Sequence, residues 1–258
     1  MELFLDMNKS NNKIICIIQA RMNSTRLPGK VMKKISGKPM LWYVLNSLQY
    51  SKTLDHLVVA TTKKRVDDQI VELCNKMNIS VFRGNEKNVL NRFCEAGKKY
   101  NATHVVRICA DCPFIDPNIV DKVVRKSTMT NVDYVSNTLP KTYPMGYEVE
   151  VIKFPTLLKS EKMTNDVGDR EHVTLFIMRN PKLFSHYNVK APDSFKKPKI
   201  RVCVDTKDDF LVIEKIFTLV KKQKNFISIR NVIGIFNKNP EIKKINSHVK
   251  PIITHGIV

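Results

Sequence analysis

No stretch of this 258-residue sequence stays apolar over the ~18 residues that a membrane-spanning helix needs. The opening residues, MELFLDMNKSNN, are too short and too polar at their end to form a secretory signal. Neither an internal repeat nor a low-complexity segment is present. These absences predict a globular protein in the cytoplasm, where its six cysteines would stay reduced.

Acidic residues are scarce: 24 Asp and Glu stand against 44 Lys and Arg, a net charge of +20. Such an excess has two explanations, a polyanionic partner such as nucleic acid or membrane, or a small anionic substrate on a lysine-rich background. The lysines are scattered in doublets, and no long basic block occurs. We therefore predict a small anionic substrate, with no nucleic acid and no membrane as partner.

Three common site motifs are also missing. Neither the P-loop pattern G-x-x-x-x-G-K-[ST] nor the dinucleotide fingerprint G-x-G-x-x-G occurs. The one C-x-x-C, at Cys109–Cys112, has no second pair at metal spacing, so we expect these thiols to pack around a turn rather than bind zinc. A nucleotide site in this chain must therefore use another loop.

Strand-like and helix-like segments alternate along most of the chain, which predicts an α/β fold with a mostly parallel sheet and helices on both faces. We expect one domain over residues 13–238, preceded by a flexible segment, 1–12. The rhythm changes at 138–198, which we interpret as a small inserted β/α flap. The apolar pattern weakens after about residue 239, so 239–258 is expected to be a loosely held tail.

A cationic loop follows the first predicted strand, Ile14–Ile18. It carries three cations, Arg21, Arg26 and Lys30, among small and turn-forming residues. Backbone N–H groups combined with guanidinium forks make a good phosphate cradle, and a lysine there supplies a point charge to a leaving pyrophosphate. From charge alone, a solvated basic loop is the more ordinary explanation of the pattern.

Two aspartates, Asp111 and Asp205, each follow an apolar run that reads as a strand. In open α/β sheets ligands bind at the carboxyl ends of strands, so these carboxylates are expected to meet at one edge. Paired carboxylates suit Mg²⁺, which prefers oxygen ligands and substrate phosphates. The alternative is that both residues only cap turns and helices.

Two further acids, Glu148 and Glu150, alternate with valines in YPMGYEVEV. Residues two apart point to the same side of a strand, and burying two unpaired carboxylates is costly. We therefore expect both acids to face a cleft and bind polar groups of a substrate, or else to face solvent. His172, in GDREHVT, is a possible acid–base group or a structural histidine.

The motif IIQARMNSTRLPGKVM resembles the signature of the cytidylyltransferases that make CMP-activated sugars, including the acylneuraminate and 3-deoxy-manno-octulosonate enzymes. The nearest branch is the spore coat polysaccharide biosynthesis protein F type. The resemblance continues in order through GKPML, VFRGNEKNVLNRF, VVRICADCPFIDP, YPMGYEVEV, DREHVT and RVCVDTKDDF, from about Ile14 to Phe236. It implies a Rossmann-like nucleotide-diphospho-sugar transferase fold.

The resemblance also implies roles for individual residues. The triphosphate would be held by the backbone after Gln19, at Ala20, and by Arg21, Asn23, Arg26 and Lys30. The base or ribose would lie near Arg83, Gly84 and Asn85. Mg²⁺ would be held by Asp111 and Asp205, and the acceptor by Glu148 and Glu150. Of these residues, the catalytic ones would be Arg21, Arg26, Lys30 and Asp111.

Two departures from the family pattern concern Asn88, where relatives often have Asp, and Tyr147-Glu148, where they often have Leu-Asp. The second departure bears on the identity of the acceptor more than on the reaction type. We predict transfer of CMP from CTP to a sugar, sugar acid or phosphorylated acceptor for surface polysaccharide or glycan synthesis, by a homodimer. The alternatives are GTP or UTP on the same fold, or a non-catalytic basic protein that binds nucleic acid.

Overall fold

The computed structural model describes residues 12–220 and 225–250. The strands in these ranges are β1 (Ile14–Gln19), β2 (Lys34–Ile35), β3 (Lys38–Pro39), β4 (His56–Thr62), β5 (Ser80–Gly84), β6 (His104–Cys109), β7 (Tyr134–Ser136), β8 (Glu150–Lys153) and β9 (His186–Asn188). The helices there are α1 (Met40–Leu48), α2 (Asp68–Lys76), α3 (Val89–Lys99), α4 (Pro117–Thr128), α5 (Phe154–Met163), α6 (Val167–Glu171), α7 (Leu175–Arg179), α8 (Lys207–Leu219), α9 (Ile229–Lys238) and α10 (Ile242–Ile245).

Seven strands form the central sheet in the order β5-β4-β1-β6-β8-β7-β9. Strands β5, β4, β1 and β6 pair in parallel, and β7 pairs in parallel with β9. Strand β8 is antiparallel to both of its neighbours. The predicted mostly parallel sheet is confirmed. Strands β2 and β3 form a separate antiparallel hairpin.

Strand β1 shows why its sequence is apolar throughout. Ile15 and Ile17 pack into one core with α3, α5 and α7, whereas Cys16 and Ile18 pack into a second core with α1, α2, α4, α8 and α9. Successive side chains of a strand point to opposite faces, so a strand covered by helices on both faces must be apolar at every position. Helices on both faces are therefore confirmed.

The expected flap at 138–198 is corrected by the sheet topology. This segment supplies β8 and β9, and β8 lies between β6 and β7 in the centre of one half of the sheet. The backbone of β8 pairs on both sides: Glu150 of β8 lies opposite Arg107 of β6 and opposite Ser136 of β7. The segment is thus an integral part of the main sheet rather than an addition to it.

Two predicted elements differ from the structure. The single helix expected over 166–181 is divided into α6 and α7, because Val173 adopts a left-handed φ of 46° between them. The strand expected before Asp205 is not formed; the segment is held instead by one bridge, between Met145 and Arg201. In the same segment, Val204 N donates a hydrogen bond to Asp111 O at 2.9 Å. Asp205 therefore reaches the sheet edge through a loop.

The tail is held more firmly than expected over 239–250. Ile242 of α10 is buried against the core, and the Asn246 side chain donates to Asp209 Oδ1 at 2.9 Å and to Arg201 O at 3.2 Å. Residues 1–11 and 251–258 lie outside the described residues, so the expectations for those ends stay predictions. Within 12–220 and 225–250, no helix has both the length and the apolar content that crossing a bilayer requires.

Candidate active site

The loop after β1 is shaped by contacts of its own backbone. Met22 N donates to Asp67 Oδ1 at 2.8 Å, and Gly29 N donates to Met22 O at 2.8 Å. Gly29 has a φ of 69°, in the region that glycine adopts at least cost, so the chain can turn sharply before Lys30. The loop lines a cavity of about 310 Å³ with Gln19, Ala20, Arg21, Ser24, Thr25, Arg26 and Lys30.

Lys30 lies between the two predicted metal ligands. Its Nζ is 2.7 Å from Asp111 Oδ2 and 3.0 Å from Asp205 Oδ1, and it donates to Val204 O at 2.7 Å. Burial disfavours the charged form of Lys30, but the two carboxylates outweigh burial and raise its pKa. The two carboxylates therefore meet at one edge of the sheet, as expected, with Lys30 between them.

Asp205 is surrounded by cations. Besides Lys30, its Oδ2 is 2.9 Å from Arg26 Nη2 and 2.7 Å from Arg201 Nη2. Burial raises the pKa of Asp205, but Lys30, Arg26 and Arg201 together bring it below its usual value. Arg201 is in turn held by Asp209, whose Oδ1 is 2.7 Å from its Nε. The Asp205 carboxylate is therefore charged and fixed in place.

These two carboxylates fit Mg²⁺. Asp111 and Asp205 already hold one cation, the Lys30 ammonium, between their oxygens, and carboxylate oxygens are the ligands that Mg²⁺ prefers. In the described part of the chain, no cluster of three or more His, Cys, Asp or Glu side chains suited to a metal is found. Further ligands would therefore come from substrate phosphates and water, as is usual for Mg²⁺.

A second cavity, of about 350 Å³, adjoins the first. The residues that line both cavities are Arg26, Cys109, Asp111, His172 and Asp205. The second cavity also has an apolar wall, formed by Leu139, Met145, Leu175 and Met178. The two spaces therefore meet at the carboxylates and at Arg26, where a group could pass from a molecule in one cavity to a molecule in the other.

Glu148 lies on the second cavity, as predicted, just before β8 begins. Its Oε2 accepts a 2.7 Å hydrogen bond from Gly146 N. Burial raises the pKa of Glu148, and the nearby charge of Lys141 acts in the opposite direction. Among the described residues, no Lys or Arg nitrogen forms an ion pair with this carboxylate, which lies on the cavity where a polar group of a ligand could meet it.

Glu150 does not have the surroundings that the sequence suggested. It is only 5% exposed, and its carboxylate forms an ion pair with Arg107 on the neighbouring strand. It also accepts hydrogen bonds from Tyr134 Oη and from Thr174 Oγ1. Glu150 does line the second cavity, as expected. Only the premise that its carboxylate would be unpaired is wrong, since Arg107 neutralises it inside the sheet.

The family model for cytidylyltransferases matches residues 15–239. The chain belongs to the cytidylyltransferase family. It is 42% identical over 241 residues to the uncharacterized protein MJ1063 of Methanocaldococcus jannaschii, covering 92% of this chain and 96% of that protein. It is 32% identical over 235 residues to the spore coat polysaccharide biosynthesis protein SpsF of Bacillus subtilis, covering 89% of this chain and 96% of SpsF.

A cytidylyltransferase structure from Leptospira borgpetersenii superimposes with a TM-score of 0.86 at 28% identity, covering 94% of this chain and 99% of that one. The family assignment and the Rossmann-like fold expected from the sequence are confirmed. Members of this family are nucleotidyltransferases, so the present chain is a nucleotidyltransferase by membership.

Four predicted nucleotide residues of this cytidylyltransferase do not line the first cavity: Asn23, Arg83, Gly84 and Asn85. Arg83 is held at the edge of the sheet, where it donates to Thr62 O at 2.8 Å, to Lys64 O at 2.8 Å and to Asp68 Oδ1 at 2.6 Å. Asn85 Oδ1 accepts from the backbone of residues 87 and 88 at 2.9 Å and so closes a turn. Arg83 and Asn85 are therefore occupied by structural hydrogen bonds.

Sequence reasoning about this cytidylyltransferase missed three arginines that line the cavities, namely Arg92, Arg107 and Arg201. A signal existed for two of them. Arg107 interrupts the apolar run of β6, and Arg201 interrupts the apolar run before Asp205. A cation within a buried run requires an acidic partner, which here is Glu150 or Asp209. No comparable pattern marks Arg92 within its helix.

The cysteines of the C-x-x-C are free thiols in the structure. Cys109 and Cys112 both line the second cavity, and burial raises the pKa of each thiol. Cys112 is buried at the turn that follows β6, where packing was expected.

Gly146 positions the wall of the second cavity and provides a first prediction. Its φ is 111°, and a Cβ there would lie 2.8 Å from the backbone carbon of Val202. We expect Gly146→Ala to lower the free energy of unfolding by about 2–4 kcal/mol, from left-handed strain plus overpacking. Gly37→Ala is the matched control, because its φ is 85° but nothing lies within 4 Å of its Cβ position. Denaturant unfolding that shows equal losses in the two variants would contradict the proposed contact with Val202.

Proposed function

We propose that this cytidylyltransferase transfers CMP from CTP to an oxygen of a sugar, sugar acid or phosphorylated sugar-like acceptor and releases pyrophosphate. The observation that carries this proposal is the junction of the two cavities at Asp111 and Asp205. The first cavity has the cationic loop for a triphosphate, and the second has Glu148 and an apolar wall for an acceptor. A product in surface polysaccharide or glycan synthesis is supported by the similarity to SpsF.

The reaction requires the acceptor oxygen to attack the α-phosphorus in line while the bond to the β-phosphate breaks. Holding both molecules at the junction supplies orientation, which accounts for a large part of the rate in such transfers. Arg26 and Lys30 stabilise the negative charge of the departing pyrophosphate. Mg²⁺, which we propose Asp111 and Asp205 hold when the nucleotide is bound, would neutralise charge on the phosphoryl oxygens.

The binding of CTP changes the partners of the loop cations. Lys30 and Arg26 are paired with Asp111 and Asp205 in the structure, so these carboxylates hold the cations in the cavity before the nucleotide arrives. When the phosphates of CTP enter, each cation can pass to a phosphate, and Asp111 and Asp205 would then be free to hold Mg²⁺. The charges of the site then stay balanced throughout binding.

The proposal is tested by pyrophosphate release from each of the four NTPs with Mg²⁺ and a panel of sugars, sugar acids and phosphorylated sugars. We expect release with CTP and at least one acceptor. Preference for UTP or GTP would replace the nucleotide assignment. If no nucleotide supports release with any acceptor, the transferase proposal is not supported for this panel.

Binding provides a second prediction, which does not require the acceptor. CTP with Mg²⁺ should stabilise the protein thermally, by about 2.7 kcal/mol at a hundredfold excess over Kd. Lys30→Ala should lose most of that stabilisation, whereas Lys215→Ala, an exposed lysine of α8 that lines neither cavity, should keep it. If a generic oligonucleotide stabilises the protein as well as CTP does, the nucleic-acid alternative is favoured instead.

A further inference from the structure

Arg92 is a buried cation without an acidic partner. Its side chain on α3 is only 2% exposed, and no carboxylate in the described residues lies within ion-pair distance of it. Its Nη1 donates to Asn85 O at 2.5 Å, while its Nε is buried with no hydrogen-bond partner. Burial and the like charge of Arg21 lower the pKa of Arg92 to about 10, against the opposing charges of Asp67 and Glu86, which lie beyond ion-pair distance. Arg92 is therefore still charged at neutral pH.

Such an arrangement is costly for a folded protein. A buried donor without a partner costs about 1–3 kcal/mol, and more when the group is charged. The local structure nevertheless accommodates this side chain closely. A Cβ on Gly84 would lie 2.8 Å from Arg92 Cγ, so the glycine leaves room for the aliphatic stem to pass. The arginine is thus built into a position where the protein alone does not satisfy it.

Arg92 lines the first cavity, together with Val89 of the same helix. Helix α3 packs against β5, β4 and β1, whereas Asp111 follows β6 on the other side of β1. The cavity therefore extends across the end of β1, with Arg92 at one side and the junction carboxylates at the other. A nucleotide whose α-phosphate lies at the junction would place its nucleoside toward Arg92.

The depth of the arginine indicates which part of the nucleotide it meets. The loop cations Arg21 and Arg26 are about one third exposed, with side chains 38% and 31% accessible, as suits a solvated triphosphate tail. Arg92 is nearly inaccessible and lies beside an apolar residue, Val89. A flat base fits this buried, partly apolar end of the cavity better than a phosphate that carries counterions and water.

We propose that Arg92 recognises the base of the nucleotide, with its free guanidinium donors on the O2 and N3 atoms of cytosine. This inference rests on the proposed function only in that a nucleotide occupies the first cavity. A guanidinium has donors and no acceptor. Cytosine presents two neighbouring acceptors at O2 and N3, whereas N3 of uracil carries a hydrogen and would face a donor. Arg92 therefore selects CTP over UTP.

The experiment measures binding by calorimetry, with CTP, UTP and inorganic triphosphate in turn, each with Mg²⁺. We expect the wild-type protein to bind CTP at least about tenfold more tightly than UTP, which is about 1.4 kcal/mol. Arg92→Lys keeps the charge but loses the planar fork, so CTP affinity should fall about tenfold or more while triphosphate affinity stays within about twofold. Arg125→Lys, an exposed arginine of α4 that lines neither cavity, is the control.

A variant without the charge separates recognition from structure. We expect Arg92→Met to keep or raise the thermal stability of the nucleotide-free protein, because it removes a buried unpaired cation, and to lose the preference for CTP. A residue with only a structural role would lower the melting temperature when replaced and leave the CTP to UTP ratio unchanged. That outcome would overturn the inference.

Two other outcomes also count against it. If Arg92→Lys weakens CTP, UTP and triphosphate equally, the arginine binds phosphate and not the base. If the wild-type protein binds CTP and UTP equally, the inference fails while cytidylyl transfer still stands.

If the wild-type protein releases no pyrophosphate but retains a CTP preference that Arg92→Lys removes, the proposed function fails and the assignment of Arg92 stands.

Discussion

Replacing Asp111 or Asp205 with asparagine should lower turnover about 10²–10³-fold, or about 3–4 kcal/mol, while the fold is retained. Both carboxylates lie at the junction of the cavities and contact Lys30, so each amide removes a negative charge from the place where a metal and an α-phosphate would meet. The measurement is the rate of pyrophosphate release at saturating CTP and acceptor, with circular dichroism to verify the fold.

Asp193→Asn is the control for this experiment, because Asp193 is exposed and lines neither cavity. The two active-site variants should also need a higher Mg²⁺ concentration for half-maximal CTP binding, which a purely structural aspartate would not cause. Turnover of either variant within a few-fold of the wild-type rate would remove that residue from the proposed metal pair.

Replacing Glu150 with glutamine should lower the free energy of unfolding by about 3–5 kcal/mol at neutral pH. The substitution leaves Arg107 charged and buried without its partner on the neighbouring strand. Tyr134 and Thr174 keep an oxygen to donate to, so the loss reports mainly on the charge. Urea unfolding at pH 7 measures it. The acceptor-binding role predicted for Glu150 would show separately, as a change in acceptor affinity.

The pH dependence of this difference follows from the pKa of Glu150. Burial raises that pKa, but Arg107 and the two hydroxyl donors outweigh burial, so it lies below the usual value. The stabilising contribution is therefore present above the unfolded-state pKa of about 4.3 and is lost as the pH falls through the folded-state pKa. Wild type and Glu150→Gln should accordingly converge in stability under acidic conditions.

Glu95→Gln is a matched control for Glu150→Gln. Glu95 forms an exposed pair with Lys98 at 2.7 Å, and such pairs contribute at most about 1 kcal/mol. A loss for Glu150→Gln as small as the loss for Glu95→Gln would show that the buried pair with Arg107 does not stabilise the sheet. The double variant Arg107→Gln with Glu150→Gln should have a higher free energy of unfolding than Glu150→Gln alone, since both buried charges are then absent.

The parallel half of the sheet could be predicted because its strands are short apolar runs followed by polar loops. Alternate residues of β1 enter the two cores, and only a strand covered on both faces has such a sequence. The position of the cationic loop and of Asp111 follows directly from the strand assignments, because the loops after parallel strands lie at one edge of the sheet. Their convergence needed no knowledge of side-chain contacts.

The segment containing β8 could not be placed in the same way. Its alternating pattern suggested a half-exposed strand, yet β8 lies between two strands, and Glu150 is buried there against Arg107. Sequence spacing within one strand cannot show which residue stands opposite on a neighbouring strand, 43 positions away. The pairing partner decides whether an acidic side chain faces solvent, a ligand or an arginine.

The two arginines near the predicted base site differ in their hydrogen-bond partners, which the sequence likewise could not show. Arg83 and Arg92 are nine residues apart and have the same chemistry, but Arg83 is satisfied by Asp68 and two carbonyl oxygens, whereas Arg92 is buried without an anion. The chemistry of the loop, the mostly parallel sheet and the family follow from local residue patterns, which depend on near neighbours in the chain. Which arginine is left free for a ligand depends on distant groups that only the folded chain brings together.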